Sequence, residues 1–428
     1  MSIGNAPDGT IRAALRYPAF RRLLAGLAVS QIGDWLYNLA LVALVYERTH
    51  SALWAGITTA ARVVPMVALG PLGGVLADRF DRRRVMVVCD LVRLALMAVL
   101  ALAALTHPPI VVFPLIAALA TAAGAPFLPS ASAVTPRLVP DADLPGANAA
   151  RSAVTGLGII AGPALGGVLL LLGTPVLAFF LNAITFGVSA LAVLSIPASE
   201  AFRPRGSGER PAGLLCDLAD GAAALRAHPQ AVRLVGADIV CSLVYGMQTV
   251  LLILVAHRAG LGLHGYGYLF AGIGAGGLLG TALAGRAARC PHPRAVLLAA
   301  LAAVGLPMVL LAWVYGVGVH WPVPAIVAAA VTGVGAILVE IMTETSLQRS
   351  LPPEVFGRAY GLALPASIAG IAAGSLAAPL LISLLGGTGA LAACGAAATG
   401  YGLLLAVPRR RPRPAPAPAE NRLATVDA

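Results

Sequence analysis

The chain has 428 residues, of which 59% are hydrophobic and only 11% are charged, and its mean hydropathy is +0.87. This composition excludes a water-soluble globular protein, because runs of about 20 apolar residues, each long enough to cross a bilayer as a helix, recur along the sequence. All 29 basic residues are arginines. The net charge of +11 does not indicate nucleic acid as a partner, because most of these arginines lie on one side of the predicted topology.

The apolar runs predict twelve transmembrane helices, and therefore an all-α integral membrane protein. They lie at about 23–46, 53–77, 85–105, 109–130, 152–172, 175–196, 232–256, 264–285, 295–317, 323–346, 359–384 and 388–407. With the N-terminus inside, the arginines follow the positive-inside rule. This asymmetry predicts a multi-pass protein of the cell (inner) membrane, with both termini cytoplasmic and the lipid bilayer as its surroundings.

The longest connection between spans divides the chain into two halves that repeat short segments. Leu283-Ala284-Gly285-Arg286 follows Leu76-Ala77-Asp78-Arg79 by 207 residues, and Arg349-Ser350-Leu351-Pro352 follows Arg137-Leu138-Val139-Pro140 by 212. The nearly equal offset indicates a duplicated half. We predict two pseudo-symmetric six-helix bundles at 19–196 and 232–407, a cytoplasmic linker at 197–231, an N-terminal cytoplasmic tail at 1–18 and a disordered cytoplasmic tail at 408–428.

The first predicted span carries a carboxylate, Asp34, near its middle, with Gln31 and Asn38 on the same helical face. Arg62 in the antiparallel second span falls at a similar depth, so we expect an Asp34–Arg62 pair, because an unpaired charge there would be costly. Two interpretations are open. Either Asp34 exchanges a proton as a cavity opens to either side, or the pair is a fixed structural contact.

The second predicted span ends in Gly74-Val75-Leu76-Ala77-Asp78-Arg79-Phe80-Asp81-Arg82-Arg83-Arg84. A carboxylate in the last turn of its own helix is placed unfavourably in the field of the helix dipole, so we expect Asp78 to interact with a neighbouring helix. The segment resembles the G-x-x-x-D-R-x-G-R-R loop of major facilitator superfamily transporters. The resemblance implies that Gly74, Asp78, Arg79, Arg82 and Arg83 act in conformational switching, with Asp78 docking on the eleventh helix. Asp81 departs from the pattern, and an ordinary charged turn is the alternative.

Asp90 and Arg93 lie at i and i+3 in the third predicted span, so we expect them to pair near its cytoplasmic end. We interpret both residues as structural or gating residues rather than as substrate ligands.

The fifth predicted span contains glycines four residues apart, which make a flat helical face for close packing. The residues Gly158, Gly162, Pro163, Gly166 and Gly167 match the G-x-x-x-G-P-x-x-G-G motif of exporters in the same superfamily. The resemblance implies a tight hinge that limits leak. Generic packing of small residues is the alternative.

Further segments resemble the macrolide-efflux and enterobactin-exporter-like branch of drug–proton antiporters. They are Tyr17-Pro18-Ala19-Phe20-Arg21-Arg22-Leu23, Ser30-Gln31-Ile32-Gly33-Asp34-Trp35, Cys89-Asp90-Leu91-Val92-Arg93 and Gln348-Arg349-Ser350-Leu351-Pro352-Pro353-Glu354. The fourth span lacks the arginine of other drug-antiporter branches, so proton coupling here needs other residues. No histidine lies in the interior of a predicted span, since His264 stands at the very start of the eighth, which leaves carboxylates to carry protons. Glu340 in the tenth span is the second candidate after Asp34, whereas Glu344 and Asp238 are expected to be interfacial or gating residues.

The substrate cavity is predicted to be mostly apolar, which suits an amphiphilic molecule better than a sugar. Its candidate wall residues are Gln31, Trp35, Asn38, Phe127, Asn182, Tyr245 and Gln248. The five cysteines have no metal-ligand spacing, and neither a nucleotide loop nor a nucleophile-elbow serine is present, so we expect no metal, no cofactor and no enzymatic activity.

These features favour a monomeric, proton-coupled exporter of hydrophobic or amphiphilic small molecules that works by alternating access. Two alternatives remain at this point. One is a permease for a narrow metabolite or siderophore, and the other is a non-transporting sensor or assembly protein.

Overall fold

In a computed structural model of the chain, the described residues are 10–172, 174–203, 223, 226–258, 261–287, 290, 292–317, 322–350 and 353–406. Throughout these ranges the regular structure is helical. The predicted tail at 408–428 and most of the predicted linker at 197–231 lie outside them, so their boundaries stay predictions.

A short helix, α1 (Ile11–Ala14), precedes the first half of the described chain, residues 18–202. The α-helices of that half are α2 (Pro18–Thr49), α3 (Ala52–Arg79), α4 (Arg82–Leu105), α5 (Val112–Gly124), α6 (Phe127–Leu138), α7 (Leu144–Leu172) and α8 (Pro175–Leu194). Prolines at the first position of α2 and α8 suit helix starts, because the first N–H groups of a helix have no partner inside it.

The second half, residues 229–406, has five long helices. They are α9 (Pro229–Arg258), α10 (Gly262–Ala287), α11 (Pro293–Val317), α12 (Pro322–Ser350) and α13 (Pro353–Ala406). The last of these is interrupted at Gly386, whose φ of 71° and ψ of 174° are not helical. Glycine adopts a positive φ without the steric cost that a side chain would add.

Within the described part of the chain, ten helices are long and apolar enough to cross a membrane. One of these ten stretches, Leu362–Ala406, has 45 residues and contains the break at Gly386, so it is long enough for two crossings. Helix α7, with 29 residues, is not among the ten, although its length is sufficient. The count is therefore compatible with the twelve predicted spans.

The fourth predicted span, 109–130, differs from the structure, where two helices with a break at Ala125 and Pro126 replace it. Proline has no N–H to donate, and the Ala125 N–H turns to the carbonyl of Ala122 in a tighter turn, at 3.2 Å. The carbonyl of Ala125 packs on Gly73 of α3, where an added Cβ would come within 2.5 Å of it. The break is thus held against the neighbouring helix.

The two halves contact each other at the end of the molecule where α2 ends and α3 begins. The Ser375 hydroxyl donates to the Gly56 carbonyl at 3.3 Å, and the hydroxyls of Thr59 and Thr249 lie 3.4 Å apart. Helix α7 also packs on α10, where Gly167 and Gly267 meet backbone to backbone. The close approach of these small residues seals this end between the halves.

The opposite end carries the arginine-rich connection between α3 and α4. There, Gly70, Gly74 and Gly156 have no described atom within 4 Å of where a Cβ would stand. These three glycines thus lack the close described contacts that Gly167 and Gly267 make at the other end. We call these the sealed end and the arginine end.

Candidate functional site

A cavity of about 430 Å³ lies among the helices of the first half, within the size range of small-molecule sites. Its walls come from α2, α3, α4, α5, α6 and α8, around the break in the fourth span. Four of the predicted wall residues line it: Gln31, Trp35, Asn38 and Phe127. Most of the lining is apolar, and the charged groups are Asp34, Arg62 and Arg93.

The expected ion pair between Asp34 and Arg62 is wrong. Arg93 of α4 donates from Nη2 to Asp34 Oδ2 at 2.6 Å instead. Arg62 donates from Nε to the Tyr37 hydroxyl at 3.1 Å, and its guanidinium lies 5.3 Å from the centre of that ring. Depth along the helices does not decide which arginine pairs with Asp34, because both Arg62 and Arg93 reach the cavity. The side chains that flank Arg93 direct it to Asp34.

Arg93 is clamped between an aromatic ring and a glycine. Its guanidinium carbon lies 3.8 Å from the centre of the Phe186 ring, and a Cβ on Gly124 would come within 3.2 Å of its side chain. The stacking is a cation–π contact, and the missing side chain on Gly124 provides the space beside it. The clamp directs the guanidinium towards α2. Neither clamp residue was predicted, because their proximity to Arg93 depends on how α4, α5 and α8 pack.

Arg93 also faces a second carboxylate, as predicted. Its Nη1 atom lies 3.9 Å from Oδ1 of Asp90. The Asp90 side chain is fully buried, and neither of its oxygens has a hydrogen-bond partner in the described part of the chain. The Asp34 side chain is 30% exposed. One arginine therefore serves two carboxylates, a short contact on the cavity side and a longer contact on the buried side.

The glycine motif of α7 forms a seat for α2. A Cβ on Gly162 would overlap the Trp35 indole, and a Cβ on Gly166 would come within 2.7 Å of Leu39. Gly158 is looser, with a Cβ position 3.4 Å from Trp35 Nε1. Trp35 thus lines the cavity with one part of its ring and is held by the motif with another. The side chain of Pro163 lies outside the described residues.

The segment predicted to act in switching is only partly described. The Asp78 side chain lies outside the described residues, so its expected docking on the eleventh helix stays a prediction. Arg82 is buried and donates to the carbonyl of Arg203 at 3.1 Å, and Arg83 donates to the carbonyl of Val193 at 3.4 Å. These two arginines anchor the start of α4 to the chain around the end of α8. Arg79 is exposed.

A second group of carboxylates surrounds a cavity of about 80 Å³ in the second half. Asp238 of α9 and Glu340 and Glu344 of α12 line it, together with Thr343. The Ser367 hydroxyl donates to Asp238. Neither Asp238 nor Glu340 forms an ion pair in the described part of the chain. The Thr343 hydroxyl is buried without a hydrogen-bond partner there.

Three predicted wall residues do not line the 430 Å³ cavity. Asn182 is fully buried in α8, accepts the Thr185 hydroxyl at 3.0 Å and packs on Gly33. Gln248 is buried in α9 with no described partner for its amide nitrogen, and Tyr245 packs against the hydrophobic core. These polar side chains serve helix packing in the form described. Among the described residues, no group of three or more His, Cys, Asp or Glu is arranged to hold a metal.

The chain is similar to known transporters in sequence and in fold. It is 31% identical over 217 residues to the multidrug efflux pump Tap of Mycobacterium tuberculosis, which covers 49% of this chain and 51% of Tap. It is 27% identical to the enterobactin exporter EntS of Escherichia coli, over 91% of this chain and 90% of EntS. The crystal structure of the nucleoside transporter NupG matches 91% of this chain and 97% of its own with a TM-score of 0.67 at 14% identity.

The NupG likeness shows the fold alone, at that level of identity. The family model of the Major Facilitator Superfamily matches residues 23–363, which is most of the chain. This match confirms the resemblance inferred from the loop after α3 and the glycine motif of α7. The chain is a multi-pass membrane transporter that belongs to the Major Facilitator Superfamily.

Proposed function

We propose that this transporter is a proton-coupled exporter of hydrophobic or amphiphilic small molecules that works by alternating access between its two halves. The observation that carries the proposal is the group formed by Asp34, Arg93 and Asp90 at the wall of the 430 Å³ cavity. Its partly exposed carboxylate, Asp34, reaches the space where a substrate would bind, Arg93 also lines that space, and Asp90 is fully buried.

The group is suited to holding and releasing a proton because its charges do not balance. Two carboxylates share one arginine, so the ionised group carries a net negative charge in a membrane interior, where such a charge is costly. A proton on Asp34 removes that charge and weakens its 2.6 Å contact with Arg93. Arg93 then turns towards Asp90, which is already 3.9 Å away. Proton binding is thereby linked to a movement of a side chain between α2 and α4.

The lining of the cavity favours amphiphilic substrates. Apolar and aromatic walls, including Trp35 and Phe127, would hold a hydrophobic body. Gln31, Asn38 and Asp34 would orient a polar or cationic group without the dense hydrogen bonding that a sugar requires. The similarity to the efflux pump Tap, whose name specifies multiple drugs, supports export over uptake.

The two ends of the molecule support alternating access. If the arginine end is cytoplasmic, as the positive-inside rule indicates, the closely packed sealed end faces outward. Export would then require the sealed end to part, including the contact between Gly167 and Gly267. The seat of Trp35 on Gly162 lies between these contacts and the cavity, so the α7 motif is proposed to transmit the change. Switching at Gly74, Asp78 and Arg79 would accompany closure of the arginine end.

Glu340 is proposed as a second proton site in the same cycle. It lies at the 80 Å³ cavity without an ion pair in the described part of the chain, and a carboxylate so placed is expected to take up a proton readily. We further propose a monomer in the cell (inner) membrane with both termini cytoplasmic.

A second candidate function is export of one metabolite rather than of many drugs. The similarity to EntS, an exporter of enterobactin by name, extends over 91% of the chain, whereas the similarity to Tap covers about half. A narrow substrate would use the same cavity and the same proton site.

The test is transport into everted membrane vesicles of an efflux-deficient host, which corresponds to efflux from cells, with a panel of amphiphilic fluorescent antibiotics and an imposed pH gradient. Wild type is compared with Asp34→Asn and with Asp141→Asn, a matched change at an exposed aspartate in the loop before α7. We expect proton-driven efflux to be lost in Asp34→Asn and retained in Asp141→Asn at equal membrane levels. Wild-type efflux in the Asp34→Asn vesicles would exclude Asp34 from coupling.

The breadth of the panel separates the two candidate functions. Efflux of several unrelated amphiphiles supports drug export. If no compound is exported while a single metabolite accumulates outside cells expressing the wild type, the narrow exporter is favoured and drug export is rejected.

A further inference from the structure

A groove of about 490 Å³ lies beside α4 and shares no lining residue with the central cavity. Arg84, Val88 and Val92 follow one another at i, i+4 and i+8 along one stripe of α4 and line the groove. Arg93 and Met97 line the central cavity from another stripe of the same helix. The groove is therefore separate from the proposed transport site. Its other walls are the end of α3 and the last turn of α5.

The groove has a charged rim and an apolar floor. Arg84 and Asp81 lie at the start of α4, and Val92 lies about 12 Å further along the helix axis. The remaining walls, which include Phe80 and Ala122, are apolar. Val88 is 58% and Phe80 56% exposed, so the groove opens on the surface of the bundle. Such an apolar wall offers few partners to water and suits a lipid chain.

Arg84 is available for a ligand, unlike the two arginines that precede it. Arg82 and Arg83 are tied to backbone carbonyls around the end of α8. The Arg84 side chain is exposed and forms no hydrogen bond or ion pair in the described part of the chain. Asp81 does not neutralise it through a direct contact, because its Oδ1 caps the helix by accepting the backbone N–H of Arg84 at 2.9 Å.

The charge of the surrounding segment selects an anion. Residues 78–84 hold four arginines and two aspartates, so the segment beside the groove is positive overall, and Arg84 and Asp81 are the charged residues in the described lining of the groove. Basic clusters beside an apolar groove at the end of a membrane helix suit the phosphate of an anionic lipid. We propose that the groove binds an anionic phospholipid, whose phosphodiester contacts Arg84 and whose acyl chain lies along Val88 and Val92.

This site has a structural consequence for the break in the fourth span. Ala122, Ala123 and Pro126 face the groove, whereas Thr121, Gly124 and Ala125 face the central cavity. The turn at the break is thus the partition between lipid and cavity. A bound acyl chain would therefore support this turn from outside.

The site can be tested by native mass spectrometry of protein purified from nanodiscs that contain equal amounts of phosphatidylglycerol and phosphatidylcholine. Arg84→Gln removes the phosphate contact, and Val88→Trp fills the groove without changing any charge. Arg12→Gln and Leu102→Trp are the matched controls, at an exposed arginine of α1 and at a lipid-facing position of α4 that is 62% exposed.

We expect retained phosphatidylglycerol to fall about tenfold in Arg84→Gln and in Val88→Trp, but not in either control. The measurement does not depend on transport, so its failure leaves the proposed function untouched. Equal retention of the two lipids by the wild type would overturn the proposal, as would unchanged retention in Arg84→Gln.

Discussion

The two halves of the molecule bury carboxylates in different ways. In the first half, Asp34 and Asp90 share the guanidinium of Arg93, which is held in place by Phe186. In the second half, Asp238 has only the hydroxyl of Ser367, and Glu340 has no ion pair in the described part of the chain. Both arrangements surround a cavity, but among the described lining residues only the first includes a cation.

The presence of a cation in only the first of these described groups predicts how each group handles a proton. An ion pair lets a carboxylate remain charged in the membrane, so its proton can leave and return as the cavity changes. A carboxylate with no cation is costly when charged, so it is expected to hold its proton more firmly. We therefore expect Asp34 to exchange the proton in each cycle, and Glu340 to release its proton only when the second half opens to water.

The largest expected effect comes from removing the shared cation. Arg93→Ala leaves Asp34 and Asp90 without a partner, and we expect the free energy of unfolding to fall by about 3 kcal/mol. Chemical unfolding in mixed detergent micelles measures it. Arg62→Ala is the matched control, because Arg62 contacts a tyrosine rather than a carboxylate. An equal or larger loss in Arg62→Ala would contradict the pairing of Arg93 with Asp34.

The next effect concerns the seat of Trp35. Gly162→Ala places a methyl group in the space of the indole, and we expect a loss of about 1–3 kcal/mol together with slower transport. Gly156→Ala, six residues earlier on α7, meets no described atom within 4 Å and is expected to be neutral or slightly stabilising. Thermal unfolding of the two variants in the same detergent compares them. Equal melting temperatures would show that the motif does not hold Trp35.

The smallest effect distinguishes the two carboxylate groups directly. Glu340→Gln breaks no described ion pair, so we expect the free energy of unfolding to change by less than about 1 kcal/mol. Asp34→Asn weakens the contact with Arg93 and is expected to cost about 1.5–3 kcal/mol. Chemical unfolding of both variants in the same micelles compares them. Equal losses in the two variants would mean that Glu340 has a charged partner in the folded protein, which would remove the contrast between the halves.

Much of the architecture could be predicted from the sequence, because the bilayer imposes helix length and polarity on each span. The apolar runs and the family resemblance identified the fold. The break at Ala125 and Pro126 was missed, since the apolar run continues through it and only the proline signals it. The positions of the membrane arginines could be predicted, and so could the contact of Arg93 with Asp90 on the same helix, but the partners on other helices could not.

The choice between Arg62 and Arg93 depends on packing that the sequence does not contain. Asp34 reaches its partner on α4 because Phe186 of α8 and Gly124 of α5 direct the Arg93 side chain. Helices that follow one another along the chain are therefore a poor guide to ion pairs in this bundle. Asn182 illustrates the same limit, because a polar residue in a span can bond within its own helix rather than face a cavity.

Proton release on substrate binding tests the central claim most directly. A compound that the wild type exports is added to the purified protein in weakly buffered detergent, and a pH indicator reports the protons released. Proton coupling at Asp34 requires release by the wild type and none by Asp34→Asn, with binding of the compound followed separately by calorimetry. Equal release by both proteins, or binding to the wild type without any release, would contradict the assignment of Asp34 as the coupling carboxylate.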